Sequence, residues 1–174
     1  MPALLLFSTG MRYYGNMIQH PFPPLFSEKS EVLILGSFPS VKSREAMFFY
    51  GHPQNRFWRV LAALFDEDVP QTVEEKKKIV LSHDLALWDS IASCDITGSS
   101  DASIRGAVPT DLSEILAHSR VTRIYCNGAQ SHRIYCKYQL ARTGIEAVRL
   151  PSTSPANAAC SLEQLIEAWQ VIKK

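Results

Sequence analysis

A short apolar run near the start of the chain, Glu31-Val32-Leu33-Ile34-Leu35-Gly36, sets the architecture that the flanking sequence follows. The run is almost continuously apolar and ends in a glycine, which is typical of a short buried strand. A strand that is apolar on both faces belongs in a parallel sheet with helices packed on either side. We therefore expect strands that alternate with helices on both sides of this run.

The rest of the chain has that alternation. Further strands are predicted over 85–91, 121–126 and 146–150. Helices are predicted to open at Pro53 and at Asp111, and to span 73–82, 129–141 and 161–171. This order predicts an α/β fold in three layers, α/β/α, around a central, mostly parallel four-stranded sheet. We expect one domain over residues 17–174, preceded by a loose leader over residues 1–16.

The composition is that of a globular protein. The chain has 174 residues, of which 46% are hydrophobic and 20% charged, so a packed core is expected and disorder is not. No apolar run approaches the ~18 residues that a membrane helix needs, and the apolar start lacks a basic segment and a cleavage site. We expect a cytoplasmic monomer without membrane contact. The net charge of +1 means that any nucleic-acid site depends on a few local Arg and Lys residues.

The cysteines give no support for a metal site. They are Cys94, Cys126, Cys136 and Cys160, and no two form a C-x-x-C pair. Zinc and iron–sulfur ligation are therefore not expected, and we predict no metal and no cofactor. Small buried thiols are the simplest interpretation.

Three loops follow the predicted strands at their carboxyl ends. They cover residues 37–55, 127–128 and 151–157. In parallel sheets with helices on both faces, such loops gather on one side and form the binding site. The functional residues are therefore expected in these three segments.

The first loop begins with Gly36-Ser37-Phe38-Pro39-Ser40. Such a turn can cradle a phosphate through backbone N–H groups, or it can be a tight exit from the strand. It is not a P-loop, because the Gly-Lys-Ser/Thr ending is absent, and it lacks the glycine triplet of a dinucleotide site.

The loop continues into a cluster of aromatic and polar residues over 47–58. A planar base needs an aromatic stacking face and an amide that both donates and accepts, and Tyr50 and Asn55 supply these groups. Asn55 could instead brace the loop, and Phe57 and Trp58 are expected in the core. The last loop, Pro151 to Asn157, is rich in hydroxyl groups, which fits either phosphate binding or an ordinary turn.

Together, Gly36 to Ser40, His52-Pro53-Gln54-Asn55-Arg56-Phe57-Trp58 and Pro151-Ser152-Thr153-Ser154-Pro155 resemble the uracil-DNA glycosylase superfamily. The resemblance spans roughly residues 17–174, and the first and last motifs favour the hypoxanthine-DNA (deoxyinosine) glycosylase branch. It implies a four-stranded parallel sheet between helices. It also implies metal-free hydrolysis of the bond between a flipped, deaminated base and deoxyribose, with damaged DNA as the partner.

The resemblance also implies roles for single residues. Asn55 matches an asparagine that is catalytic in the hypoxanthine branch, and we expect it to orient water and contact the base. His52 either donates to the base or a phosphate, or holds the loop. The residues implied in substrate binding are Gly36, Ser37, Phe38, Pro39, Ser40, Tyr50, Ser152, Thr153, Ser154 and Asn157. Within this set, Tyr50 and Phe38 are expected to stack on the base.

Two positions depart from the family pattern. Phe38 stands where the uracil branches have an Asp or Asn that orients water, and a phenyl ring cannot do this. Ala156 stands where a large apolar wedge is usual, so flipping should depend on a base pair that is already weak. The loops contain no pair of carboxylates, so chemistry of the two-carboxylate glycosidase type is not expected.

Three alternatives remain open from the sequence. The protein could excise uracil or the thymine of a G·T mismatch instead of hypoxanthine. It could be a DNA- or nucleotide-binding module without catalysis, which Phe38 favours. A doubly wound enzyme with Cys94 or Cys126 as nucleophile ranks last, because neither cysteine has a histidine partner in a motif.

Overall fold

The part of the chain that the structure describes, in a computed structural model, is residues 16–173. The leader predicted over residues 1–16 lies outside this part, except for its last residue. The division into a leader and one domain therefore stays a prediction.

The central sheet has four parallel strands in the order β3-β2-β6-β7. The strands are β2 (Val32–Gly36), β3 (Leu85–Asp89), β6 (Arg123–Asn127) and β7 (Ala147–Leu150). The apolar run that opens the sequence forms β2, which is hydrogen-bonded on both sides and buried along its whole length. The predicted four-stranded parallel sheet is confirmed.

Helices cover both faces of this sheet. They are α1 (Val41–Ala46), α2 (Phe57–Phe65), α3 (Val73–Ser82), α4 (Ser113–Ala117), α5 (Ala129–Tyr138), α6 (Leu140–Thr143) and α7 (Leu162–Trp169). Ile34 of β2 lies in the core shared with α2, α3 and α7. Its neighbours Leu33 and Leu35 lie in a second core with Ile115 of α4 and Tyr135 of α5. Successive strand residues thus serve opposite faces, and the three-layer prediction is confirmed.

A second sheet was not predicted. It contains β1 (Ile18–Gln19), β4 (Ile91–Asp95) and β5 (Arg105–Pro109) in antiparallel order β1-β4-β5. The single strand predicted over 85–91 is therefore wrong at its end, because the chain leaves the central sheet at Ser90. The backbone N–H of Ser90 donates to Gly36 O at 2.7 Å. This hydrogen bond joins the ends of β3 and β2.

One helix was not predicted, and another begins later than predicted. Helix α1 lies inside the segment predicted as loop, and Ser40 caps it by accepting from the backbone N–H of Ser43. The helix predicted to open at Pro53 begins instead at Phe57. The side chain of Asn55 accepts from its first N–H, and residues 53–54 form a turn that the bond from Asn55 N–H to His52 O closes at 2.9 Å.

The helices are short. The longest, α3 and α5, have 10 residues each. Crossing a bilayer takes about 20 apolar residues. Between residues 16 and 173, no helix has the length and the apolar character that this requires.

The last helix supports the loop that follows β7, and this contact can be tested. Trp169 is fully buried, and its Nε1 donates to Pro151 O at 3.0 Å. Trp169→Phe leaves this carbonyl without the donor and the site underfilled, so the free energy of unfolding should fall by about 1–3 kcal/mol. Urea unfolding measures the change.

The matched control is Val171→Ala, at a position that is 37% exposed two residues later. It should change the free energy of unfolding by no more than about 0.5 kcal/mol. Equal stabilities of Trp169→Phe and the wild type would contradict the supporting role of Trp169.

Candidate active site

A cavity of about 380 Å³ opens at the carboxyl edge of the central sheet. Its walls come from residues in the ranges 36–43, 49–55 and 152–156, together with Asn127, so the three loops predicted to converge do meet. Residues 99–102 and Asp89 complete the lining. The volume lies within the range of small-molecule sites.

All but one of the predicted site residues line this cavity. They are Gly36, Ser37, Phe38, Pro39, Ser40, Tyr50, His52, Asn55, Ser152, Thr153 and Ser154. Asn157 does not line it. Its Nδ2 donates to Ser152 O at 3.0 Å, so its side chain braces the last loop from within.

Hydrogen bonds fix the orientation of the Asn55 amide. Its Oδ1 accepts from the backbone N–H of Phe57 and from Thr153 Oγ1, each at 2.9 Å. Because a backbone N–H can only donate, the oxygen must face these partners. The group that Asn55 leaves for a ligand is therefore the Nδ2 donor, which suits contact with a base better than acceptance of a proton from water.

Thr153 joins Asn55 to the end of β6. Asn127 Nδ2 donates to Thr153 Oγ1 at 2.9 Å, and Asn127 Oδ1 accepts from the backbone N–H of Thr153 at 3.0 Å. Thr153 has no exposed surface, so these bonds form away from water. Sequence reasoning placed the 127–128 turn at the site but did not single out the Asn127 side chain, which follows the apolar residues of a strand.

His52 offers a second donor to the cavity. Its Nδ1 accepts from the backbone N–H of Gln54 at 3.1 Å. In the neutral ring the proton then sits on Nε2. His52 therefore holds the turn, which is one of the two roles that the sequence left open, and donation to a base or a phosphate stays a prediction.

The serines of the two motif loops differ in what they can bind. Ser40 Oγ caps α1, and Ser37 Oγ donates to Asp101 Oδ1 at 2.9 Å, so both are engaged within the protein. Ser152 and Ser154 accept backbone N–H groups through Oγ. Among residues 16–173 neither hydroxyl donates a hydrogen bond, so both hydroxyl hydrogens remain for a ligand.

Tyr50 forms an aromatic wall. Its backbone lies in the left-handed region with φ 51°, and its ring stacks on Phe57 with centroids 4.0 Å apart. One ring face is therefore covered by the core, which leaves the other for a ligand. Within the described part of the chain, the buried hydroxyl has no hydrogen-bond partner. Burial, and then the charge of Asp89, raise the pKa of Tyr50 far above its usual value, so the phenol stays neutral.

Two carboxylates reach the cavity from outside the three predicted loops. Asp89 ends β3 and is 4% exposed, whereas Asp101 lies in the loop after β4. The motif loops themselves hold no pair of carboxylates, and the expectation that the chemistry is not of the two-carboxylate type stays a prediction. Asp89 could have been found as the polar residue at the carboxyl end of a parallel strand.

The loop that carries Asp101 is tied to the first motif. Ser99 Oγ accepts from the backbone N–H of Val41 at 2.9 Å, and Arg44 donates to Gly98 O at 3.2 Å. With the bond from Ser37 to Asp101, these contacts place the carboxyl group at the mouth of the cavity. Partial removal from water raises the pKa of Asp101, although the residue as a whole is exposed.

The buried cysteines are poorly suited to nucleophilic chemistry. Burial raises the pKa of Cys94 to about 11 and that of Cys126 to about 12. At neutral pH both are thiols, whereas a thiolate is the reactive form. Within residues 16–173, no three His, Cys, Asp or Glu side chains are grouped so as to hold a metal ion.

Arg56 clamps the last loop onto α2. Its guanidinium donates to the backbone carbonyls of Cys160, Ser154 (3.0 Å) and Asn157 (2.9 Å). Its backbone N–H donates to Thr153 O at 3.0 Å. A planar fork of donors can serve three carbonyls that one ammonium group cannot reach together.

Arg56→Lys should therefore loosen the segment over residues 151–160 while the fold persists. Loss of hydrogen bonds worth about 1 kcal/mol each should accelerate amide exchange in this segment by about tenfold or more. Hydrogen–deuterium exchange measures the effect. Arg59→Lys, at an exposed position of the same helix, is the control and should leave the exchange unchanged.

Fold and site together define a class: a three-layer α/β protein whose strand-end loops enclose a polar cavity with an aromatic wall, suited to a planar heterocycle. Comparison with known proteins gives the family. The sequence profile of the uracil DNA glycosylase superfamily matches residues 23–173. The chain belongs to this superfamily.

Individual relatives extend the comparison. A hypoxanthine DNA glycosylase of Methanosarcina acetivorans is 32% identical over 157 residues, which is 90% of this chain and 98% of the relative. A hypoxanthine DNA glycosylase of Methanosarcina barkeri is 33% identical over 90 residues, which is 51% of this chain and 57% of the relative. A solution NMR structure of a candidate uracil DNA glycosylase from M. acetivorans superimposes with a TM-score of 0.74 at 28% identity, covering 91% of this chain and 99% of that one.

Proposed function

We propose that this protein is a DNA glycosylase that removes hypoxanthine from DNA by hydrolysing the bond between the base and deoxyribose. The observation that carries the proposal is one cavity lined both by Asn55, whose amide oxygen is already engaged, and by Asp101. Hydrolysis of an N-glycosidic bond needs a donor for the departing base and a negative group near the sugar. The names of the relatives favour hypoxanthine as the base.

The base reaches the cavity by leaving the duplex. Ala156 lies at the exposed rim of the cavity and is too small to fill the vacated position in the stack. A deaminated base pairs weakly, which lowers the cost of flipping. Ser152 and Ser154, whose hydroxyl hydrogens are free, are placed to hold phosphates beside the flipped nucleotide.

Donors assist departure of the base. As the bond from C1′ to the base nitrogen breaks, the electron pair goes to the base. Asn55 Nδ2 and His52 Nε2–H then donate to the base as it becomes negative. In this mechanism Asn55 acts on the leaving group.

Asp101 acts on the sugar and on the attacking water. Phe38 cannot orient water, so another acceptor must do so, and the Asp101 carboxylate lies at the cavity mouth where the sugar would sit. Its negative charge favours the oxocarbenium-like sugar, and it accepts the proton of the water that adds to C1′. The base leaves as an anion and takes up a proton from the solvent, Asp101 releases to the solvent the proton that it accepted, and an abasic site remains.

A panel of labelled duplexes tests the proposal. Each carries one hypoxanthine, one uracil or one G·T mismatch, chelator is present, and alkali reveals abasic sites. Cleavage at hypoxanthine above the other substrates is expected. The superfamily name makes uracil or mismatch excision the second candidate. Cleavage confined to uracil or to the mismatch would overturn the choice of base. Binding without cleavage of any duplex would overturn the enzymatic assignment.

The donor role of Asn55 gives a sharp prediction. Asn55→Asp keeps an oxygen for Phe57 N–H and Thr153 but replaces the free amide nitrogen by an acceptor. Loss of one donor to a developing negative charge costs about 10²–10³ in rate, so excision should fall at least about 100-fold with folding nearly normal. Single-turnover assays measure the rate.

Gln54→Glu is the matched control, because it makes the same amide-to-carboxylate change at the exposed neighbouring position. It should retain most of the activity. If Asn55→Asp excised hypoxanthine at the wild-type rate, the leaving-group role would be refuted.

The raised pKa of Asp101 predicts the acid side of the pH profile. Catalysis needs the ionised carboxylate, so the rate should rise with pH through this pKa and then level off. The decline on acidification should begin at a higher pH than for an ordinary aspartate. Asp101→Asn should be slow and should lack this acid limb.

Asp68→Asn, at an exposed position outside the cavity lining, is the control for the change of charge. Its profile should match that of the wild type. An unchanged acid limb in Asp101→Asn would assign the titration to another group and remove Asp101 from the mechanism.

A further inference from the structure

A buried serine of the cavity lining has a hydroxyl hydrogen that the protein leaves without an acceptor. Ser43 lies in α1, is 2% exposed and belongs to the cavity lining. Its Oγ accepts from the backbone N–H of Gly51 at 2.9 Å and from Ser40 Oγ at 3.0 Å. These two bonds occupy both lone pairs of the oxygen. Among residues 16–173, no group accepts the hydrogen of Ser43 Oγ.

The two hydrogen bonds also fix the direction of this hydrogen. Cβ and the two donors take three of the four tetrahedral positions around Oγ, so the O–H bond takes the fourth. A buried donor without an acceptor is unfavourable, and the space that Ser43 lines is the cavity. An acceptor atom on a ligand in the cavity would complete the hydrogen bonds of Ser43.

The ligand group that suits Ser43 is part of the base. Phosphates are charged and stay at the solvated surface, whereas Ser43 is buried. The inner end of the cavity is formed by Gly36 and Asp89, whose Oδ2 lies 2.6 Å from His20 Nε2. Asp101 lies at the mouth, where the sugar would sit.

Ser43 lies on a wall that connects these two ends. At the mouth, the first backbone N–H of α1 donates to Ser99 Oγ at 2.9 Å. Toward the inner end, Gly51 follows Tyr50, whose Oη lies 3.3 Å from the point where a Cβ on residue 36 would be. A base attached to a sugar at the mouth extends inward past this wall. Ser43 therefore meets a side of the base, between the glycosidic nitrogen and the edge farthest from the sugar.

We infer that Ser43 is the residue that selects purines, by donating its hydroxyl hydrogen to N7 of the flipped base. The inference rests on the proposed function and specifies a contact on one side of the substrate. The sides of hypoxanthine carry N3 and N7, and each of these nitrogens has a lone pair. The corresponding sides of uracil carry O2 and, opposite, the hydrogens of C5 and C6. A donor on the N3 side would serve both bases, whereas a donor on the N7 side is satisfied by the purine alone.

This contact gives a physical reason for a preference for hypoxanthine over uracil. When uracil occupies the cavity, the Ser43 hydrogen stays buried and unpaired. A site built to hydrogen-bond one atom of its substrate discriminates against an analogue that lacks this atom, because the polar group of the site is then left without a partner.

Equilibrium binding tests the inference without relying on turnover. The probes are duplexes with a 2′-fluoro sugar, since fluorine destabilises the oxocarbenium-like state and slows cleavage. They carry hypoxanthine, uracil, 7-deazahypoxanthine or 3-deazahypoxanthine, and in the last two a C–H group replaces N7 or N3. The wild type should bind the 7-deaza base about 5- to 10-fold more weakly than hypoxanthine, as expected for loss of one hydrogen bond between neutral groups.

Ser43→Ala provides the matched variant. It removes the hydroxyl hydrogen, so the loss of affinity on 7-deaza substitution should fall to within about twofold, and the preference for hypoxanthine over uracil should fall by a similar factor. The effect of 3-deaza substitution should be the same as in the wild type. Thermal unfolding checks that the variant is folded. Ser82→Ala at the end of α3, outside the cavity lining, is the control and should keep all of these ratios.

The outcomes separate this inference from the proposed function. Equal binding of hypoxanthine and 7-deazahypoxanthine by the wild type would overturn the role of Ser43, whatever the variant does. An unchanged 7-deaza effect in folded Ser43→Ala, or a change in the 3-deaza effect instead, would overturn the contact with N7. Absence of cleavage together with N7-dependent binding that Ser43→Ala abolishes would overturn the glycosylase assignment and still support purine selection by Ser43.

Discussion

The site depends on the buried hydroxyl of Thr153, which links three segments of the chain through hydrogen bonds. It accepts from Asn127 and donates to Asn55, and so connects the end of β6, the loop after β7 and the turn before α2. Thr153 is shielded from water, so a broken bond would leave a polar group unpaired at a cost of about 1–3 kcal/mol. Three segments far apart in the sequence are thereby held in one arrangement before any substrate arrives. Arg56 stabilises the same loop by donating to three of its backbone carbonyls.

With these three segments held together, the cavity has two chemically different sides. The side built from the turn before α2 presents donors. The oxygen of Asn55 and Nδ1 of His52 already accept hydrogen bonds from backbone N–H groups. The side built from β3 and the loop after β4 presents the carboxylates of Asp89 and Asp101. A leaving base that gains negative charge needs donors, and a sugar that gains positive charge needs acceptors. The proposed reaction uses the two sides in this way.

Phe38 stands where related proteins have a water-orienting residue, and another loop of this chain supplies a carboxylate to the cavity. Phe38 is 7% exposed and packs near His20, with ring centroids 6.0 Å apart, so it belongs to the aromatic surroundings of that imidazole. A carboxylate beside the first motif comes instead from Asp101, which accepts from Ser37 Oγ. In the proposed mechanism a function usually placed on one loop has moved to another that faces the same space.

The sequence by itself determined the four parallel strands, the helices on both faces and the three loops that meet, because apolar periodicity and turn residues are local signals. It also identified most of the cavity lining, through motifs whose residues lie close together in the chain. The small antiparallel sheet, the positions of His20, Asp89 and Asp101 in space, and the direction of the Asn55 amide were decided only by the tertiary structure. His20 and Asp89 are 69 residues apart, and Asn55 and Thr153 are 98 apart. Hydrogen bonds over such separations leave no trace in local pattern, and they form only when packing of the core brings the strand ends together.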